Sequence, residues 1–156
     1  MKDNRIFNEI SWYHPKRVLS KKEQIDLVDF LHKSLSQFTD TKAQIQKAID
    51  YALKQVDSFG GFIGIIRDGE EIVGATVVNA TGMDGYIPPY ILVYIAVDES
   101  KRGQGMGQAI IMEIIRKVKC DIALHVEPHN PAVRLYKRMN FSNKYLEMRY
   151  QHHDQQ

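Results

Sequence analysis

The run Val97-Asp98-Glu99-Ser100-Lys101-Arg102-Gly103-Gln104-Gly105-Met106-Gly107 joins an apolar segment to a helical one through a glycine-rich turn. Glycines at alternate positions let a backbone come close to a ligand and turn its N–H groups toward it. The first turn of a following helix adds unpaired N–H donors and the positive end of the helix dipole. Arg102 adds a full charge, so the chemistry this turn favours is phosphate binding. Upstream, Tyr90-Ile91-Leu92-Val93-Tyr94-Ile95-Ala96-Val97 is an apolar, β-branched run of the kind found in a strand buried on both faces. Downstream, the spacing predicts a helix from residue 105 to about residue 118. Two other phosphate loops fail on the same residues. A nucleoside-triphosphate loop ends Gly-Lys-Ser/Thr, whereas this one ends Gly105-Met106-Gly107-Gln108. A dinucleotide fold places its glycine turn after the first strand of a repeated strand-helix-strand pattern, and here the turn comes late.

Working outward, Asp68-Gly69-Glu70 between two apolar runs, residues 62–67 and 71–79, predicts a hairpin. The glycines and prolines of residues 81–89 predict the loop from that hairpin to the strand at 90–97. A first strand is expected over residues 5–12. Ser20-Lys21-Lys22-Glu23 then reads as a capping box opening a helix that carries Ile25, Leu27, Val28, Leu31 and Leu35. A second helix starts after Thr39-Asp40-Thr41 and carries Ile45, Ala48, Ile49, Ala52 and Val56. Beyond the glycine turn, residues 122–126 read as a strand, and Asn130 can cap a helix that Pro131 begins. A last strand is expected over about residues 144–150, followed by a frayed polar tail, residues 151–156. This order gives an α/β fold, a mixed sheet with helices on both faces.

The 156 residues suffice for a single domain spanning residues 1–156, and no change of composition marks a boundary. The formal charge is +2 with Lys and Arg scattered, which argues against nucleic acid as a partner. No apolar span is long enough for a membrane, and the polar start Met1-Lys2-Asp3-Asn4-Arg5 lacks the apolar centre of a signal peptide. The single Cys120 cannot form an internal disulfide and is expected to be a small buried residue. These features place the protein in the cytoplasm by default.

Arg102, Gly105 and Gly107 match the pyrophosphate loop of the GNAT superfamily of acyl-CoA N-acyltransferases, which reads Gln or Arg, two residues, Gly, one residue, Gly or Ala. Asn130, Ala132, Tyr136 and Phe141 resemble that family's second signature, and the two come in the family's order. The resemblance covers residues 62–141; residues 1–61 agree only in the type and order of their elements. It implies a single-domain mixed, largely antiparallel sheet and acetyl-CoA as cosubstrate. It also implies that N–H groups of Gly103, Gln104, Gly105, Met106, Gly107 and Gln108, beside Arg102, hold the pyrophosphate. Ile95, Ala96 and Val97 would pair with the pantetheine arm, with the Val97 N–H polarising the thioester carbonyl. Asn130 would bond the arm, Lys137 or Arg138 would reach the adenosine phosphates, and Tyr136, beside the cofactor, would be the general acid. No metal is implied. The acceptor would be a primary amine of a small molecule, peptide or protein, acetylated directly in a ternary complex. A homodimer is compatible with this reading. The rival is a non-catalytic module that binds or senses acyl-CoA.

The chemistry supports these roles unevenly. A phenol titrating at about 10 can protonate a thiolate titrating at about 8.5 only in contact and in concert with bond cleavage. Many relatives place Gly where Asn140 precedes Phe141, and Asn tolerates the left-handed conformation that position needs. A proton acceptor for the amine is harder to find. The strand at 90–97 opens Pro88-Pro89-Tyr90 with no acid, which leaves Tyr94, His125, Glu127 and Asp84 as substitutes. His125 is expected to be a satisfied core residue and Glu127 a solvated loop acid. Trp12-Tyr13-His14-Pro15, Phe59 and residues 83–89 are the expected lining of an acceptor pocket.

Overall fold

The computed structural model describes residues 9–154. The expected first strand appears only as Ser11–Tyr13 (β1); its portion at residues 5–8 lies outside the described residues. Two capped helices follow. In α1, Lys21–Leu35, the Ser20 hydroxyl accepts the Glu23 N–H and the Glu23 carboxylate accepts the Ser20 N–H, both at 3.1 Å. Leu27, Val28 and Leu31 are buried, whereas Ile25 lies about 200° around the helix from Leu27 and is 59% exposed. In α2, Lys42–Ala52, Thr41 and Gln44 form the same reciprocal cap. Ile45, Ile49 and Ala52 are fully buried. Each large apolar side chain removed from water in this way stabilises the fold by about 1.5–3 kcal/mol. The helix stops short of Val56 because the chain turns at Leu53 and Lys54, the latter with φ +55°, and Val56 is left exposed.

The hairpin forms as expected. β2, Gly61–Asp68, and β3, Glu71–Ala80, pair with Asp68 opposite Glu71, and Gly69 takes the positive φ, +65°, that the tight turn needs. β4, Tyr90–Val97, follows, then α3, Met106–Val118, β5, Ile122–Leu124, and α4, Ala132–Arg138. The sheet order is β1-β2-β3-β4-β5, antiparallel except for the parallel pair β4–β5. α1 and α2 cover one face over Ile63, Ile65, Ala75, Val77, Tyr94 and Ala96. α3 covers the other through Met106, Ile110 and Ile114 against Phe62, Ile66, Val78 and Leu92. Among the described residues no helix is long and apolar enough to cross a membrane.

Four local expectations are corrected. The last strand, at residues 144–150, does not form: Tyr145, Leu146, Met148 and Tyr150 are 75–88% exposed. Alternating apolar residues mark a face, but a strand also needs a neighbour to bond, and the edge strand β5 is three residues long. β5 itself stops at Leu124 rather than reaching residue 126, which leaves His125 exposed and not a core histidine. Cys120 is exposed in the turn after α3, where Lys119 at φ +51° ends the helix. β4 is not buried evenly on both sides: Leu92, Tyr94 and Ala96 are buried, and Ile91, Val93, Ile95 and Val97 are half-buried.

Candidate active site

The site begins with an interruption in β4. Val77 lies opposite Tyr94 and Val78 opposite Leu92, so Val93 is an extra residue, a β-bulge. The bulge sends Leu92 to the α3 face and Tyr94 to the α1/α2 face, although only one residue separates them. On its other side β4 pairs with β5 only from Tyr90 to Leu92. From Val93 to Val97 that edge carries no strand among the described residues, while the edge toward β3 stays bonded. The Asp98 N–H donates to the Val73 carbonyl at 2.8 Å, on the β3 side. Alternation along the strand then turns the peptide groups of Ala96 to β3 and those of Ile95 and Val97 to the open edge.

The glycine loop stands at the end of this edge. Asp98 accepts both the N–H and the hydroxyl of Ser100, which shapes a short helical turn over Glu99–Lys101. That hydroxyl, first among several causes, holds the Asp98 carboxyl below the usual carboxylate range, with Lys33 and Arg102 assisting. Gly103 (φ +75°) and Gly105 (φ +84°) take the left-handed conformation, and open space lies where a Cβ would stand on either. Gly105 caps α3 with no side-chain acceptor, and its carbonyl is first met by the Ala109 N–H at 3.0 Å. The N–H groups of Met106, Gly107 and Gln108 thus have no partner within the helix. Gly107 is small for another reason: its Cβ would come within 3.1 Å of Leu135 on α4. Together these features form a concave row of donors at a positive helix end, a fit for a pyrophosphate. Arg102 also braces the loop. Its Nε donates to the Val97 carbonyl at 3.1 Å and its Nη2 to the Ser34 carbonyl at 2.8 Å, tying the loop to the end of α1.

α4 approaches from the same side through Leu135. Asn130 accepts the Ala132 N–H at 2.9 Å, the capping role, and among the described residues its amide NH2 group has no partner. Tyr136 is buried, its ring edge-on to Phe141 at 5.9 Å, and the Phe141 N–H returns to the Tyr136 carbonyl at 2.9 Å. Asn140 adopts φ +70°, doing the work expected of a glycine there. Burial pushes the Tyr136 phenol up to about 12. Among the described residues its hydroxyl has no hydrogen-bond partner. Lys137 and Arg138 are exposed on the last turn of α4.

Trp12, Phe59 and residues 83–89, expected to line an acceptor pocket, lie away from the open half of β4. Trp12 lies on β1, three strands and about 14 Å from β4. It packs on Phe62 with Lys117 above it, an edge contact on the α3 face. Residues 83–89 sit at the start of β4, the end remote from the glycine loop, and Phe59 lies 68% exposed over Gly82. Glu127 is exposed and its carbonyl closes a turn with Asn130. The Cys120 thiol is pushed up, first by desolvation and then by Asp121 and Asp84.

What borders the open half of β4 on the α1/α2 face is the connection between those two helices. There the Tyr94 hydroxyl donates to Asp40 Oδ2 at 2.5 Å. Sequence reasoning treated Asp40 only as part of a helix start, and Thr41 proves to be the cap. No local pattern links position 40 to position 94.

Residues 60–143 match a family model described as an acetyltransferase (GNAT) domain. A search among curated proteins finds no match. Solved structures share the fold. A GNAT-family acetyltransferase from Streptococcus pneumoniae TIGR4 is 18% identical, covering 94% of this chain and 98% of that one, with a TM-score of 0.66. A putative GNAT acetyltransferase from Desulfovibrio desulfuricans, also 18% identical, covers 88% and 87% with a TM-score of 0.67. AAC(6')-Iy, solved with the bisubstrate analogue CoA-S-monomethyl-acetylneamine, is 16% identical, covers 94% and 100%, and has a TM-score of 0.65.

Proposed function

This chain belongs to the GNAT acetyltransferase family, and from that premise we propose that it is an N-acetyltransferase moving the acetyl group of acetyl-CoA directly to a primary amine. The observation that carries the reading is the unpaired edge of β4 from Val93 to Val97, which ends at the left-handed glycine loop and the uncapped start of α3. Residues 103–108 hold the pyrophosphate by their N–H groups. Arg102 positions that loop through the Val97 and Ser34 carbonyls and lends its charge. The peptide groups of Ile95 and the N–H of Val97, whose carbonyl already accepts from Arg102, pair with the extended arm, and Ala96 keeps the strand in register. Val97 stands nearest the loop, so its N–H meets the arm. Ile95, farther toward the bulge, is the donor placed for the thioester carbonyl, and it takes over the polarising role first assigned to Val97. Asn130 adds its amide NH2 from the start of α4.

The cosubstrate supplies an activated acyl carbon and a thiolate leaving group. Tyr136 is the acid that protonates that thiolate. A phenol at about 12 is a poor donor to a thiol of about 8.5 unless transfer accompanies bond cleavage, so contact is required. The whole chain, residues 1–156, acts as one transferase domain. Exposed Cys120 fits a reducing, cytoplasmic setting. A homodimer would cover the exposed Tyr145, Leu146, Met148 and Tyr150.

The test is turnover. The purified chain, incubated with acetyl-CoA and a panel of primary amines, should release CoA and give acetylated amine by mass spectrometry. Binding of acetyl-CoA with no release above thioester hydrolysis would contradict an enzyme and favour an acyl-CoA sensor.

A further inference from the structure

We infer that Asp40, held by the Tyr94 hydroxyl, is the carboxylate that receives a positively charged nitrogen of the acceptor. The inference rests on the N-acetyltransferase reading and adds a site and a substrate class to it: acceptors bearing an alkylammonium group. An arm that starts at the glycine loop and pairs along the open edge runs from Val97 toward the bulge, so its reactive end arrives beside Tyr94. Tyr94 crosses to the α1/α2 face, where it is buried in the core and its hydroxyl meets the helix connection at Asp40. That hydroxyl occupies Asp40 Oδ2 at 2.5 Å, a charge-assisted bond that fixes the carboxylate, and among the described residues nothing bonds Oδ1. Asp40 is exposed, and among the described residues no cation is paired with it. The nearest helix-start lysine, Lys42, is committed to Asp29 at 3.0 Å.

The surroundings fix this carboxylate in place. Tyr94 is braced from behind by the Thr76 hydroxyl, which donates to its carbonyl at 2.7 Å. Burial, and then the bond to Asp40, push the Tyr94 phenol well up, so it remains a donor throughout the working range. The Arg102 bond to Ser34 ties the end of α1 to the phosphate loop, so the helix connection and the cosubstrate loop form one frame. A fixed carboxylate at this place selects cationic acceptors over neutral ones of the same shape.

The experiment is calorimetric titration of cadaverine into the full chain, free and saturated with CoA, with a neutral diol of the same length as control. Acetyl-CoA is titrated separately. Cadaverine should bind and the diol should not. Asp40→Asn should weaken cadaverine at least about tenfold, and Asp40→Glu should restore part of that loss. Tyr94→Phe should weaken it about two- to fivefold, with thermal unfolding reporting any damage to the core. All three variants should keep the wild-type affinity for acetyl-CoA. Equal cadaverine binding by wild type and Asp40→Asn, or none by a wild type that binds acetyl-CoA, would overturn the inference. Failure of acetyl-CoA to bind would instead overturn the function it rests on.

Discussion

Tyr136 is the residue proposed as the acid, and its burial makes two measurable statements. Tyr136→Phe keeps the ring, the packing on Phe141 and the buried surface, and removes only the proton. It should lower kcat by roughly 100-fold or more, the usual worth of general acid catalysis, with the Kd for acetyl-CoA unchanged. Unaltered turnover would remove Tyr136 as the acid. The second statement concerns pH. The folded phenol titrates at about 12 against an ordinary value of 10.0. A folded pKa above the unfolded one stabilises the protein fully below pH 10, and that contribution is lost as pH rises through 12. The stability difference between wild type and Tyr136→Phe, from urea unfolding at pH 8 and pH 11, should therefore shift against wild type at the higher pH. A constant difference would mean that the hydroxyl is solvated. The local structure around Tyr136, Asn130 and the loop glycines was legible in the sequence because each sits at short, fixed spacing from its motif neighbours. Asp40 was not, since 54 positions separate it from Tyr94 and only sheet packing brings them together.

Among the elements, the hairpin β2–β3 sets the plane on which β4 is laid, and its tightest point is Gly61. A Cβ there would lie 2.0 Å from the Val78 carbonyl oxygen and 2.9 Å from Asn79 Cα, both backbone atoms that cannot swing aside. Gly61→Ala should cost about 2 kcal/mol or more, read by chemical denaturation, because the strands must separate to admit the methyl group. A cost below about 0.5 kcal/mol would show the pair to be looser than described. The capped starts of α1 and α2 and the Asp-Gly hairpin were readable from sequence, for their signals are local hydrogen bonds and backbone conformations. The bulge at Val93 was not, because the apolar run continues unchanged across it and only the partner strand reveals the extra residue. The final strand failed for the converse reason: its alternation was real and its partner was absent.

Across the whole molecule, the proposed function rests on a sheet in which β4 is paired along one side and, among the described residues, open beyond Leu92 on the other. α3 packs on one face of the sheet, with Leu135 of α4 beside Gly107, and the α1–α2 connection meets Tyr94 on the opposite face. No single motif states this, although the order of elements in the sequence already implied a mixed sheet with helices on both faces. The central claim is that the open edge and the glycine loop together bind acetyl-CoA. The measurement that tests it most directly is calorimetric titration of acetyl-CoA into the wild-type chain and into Gly105→Asp, with thermal unfolding confirming that the variant is folded. The account predicts one-to-one binding by wild type, of about micromolar strength, and none by a folded Gly105→Asp, whose carboxylate would stand among the donors meant for phosphate. Equal binding by both would place the pyrophosphate elsewhere, and no binding by wild type would contradict the account.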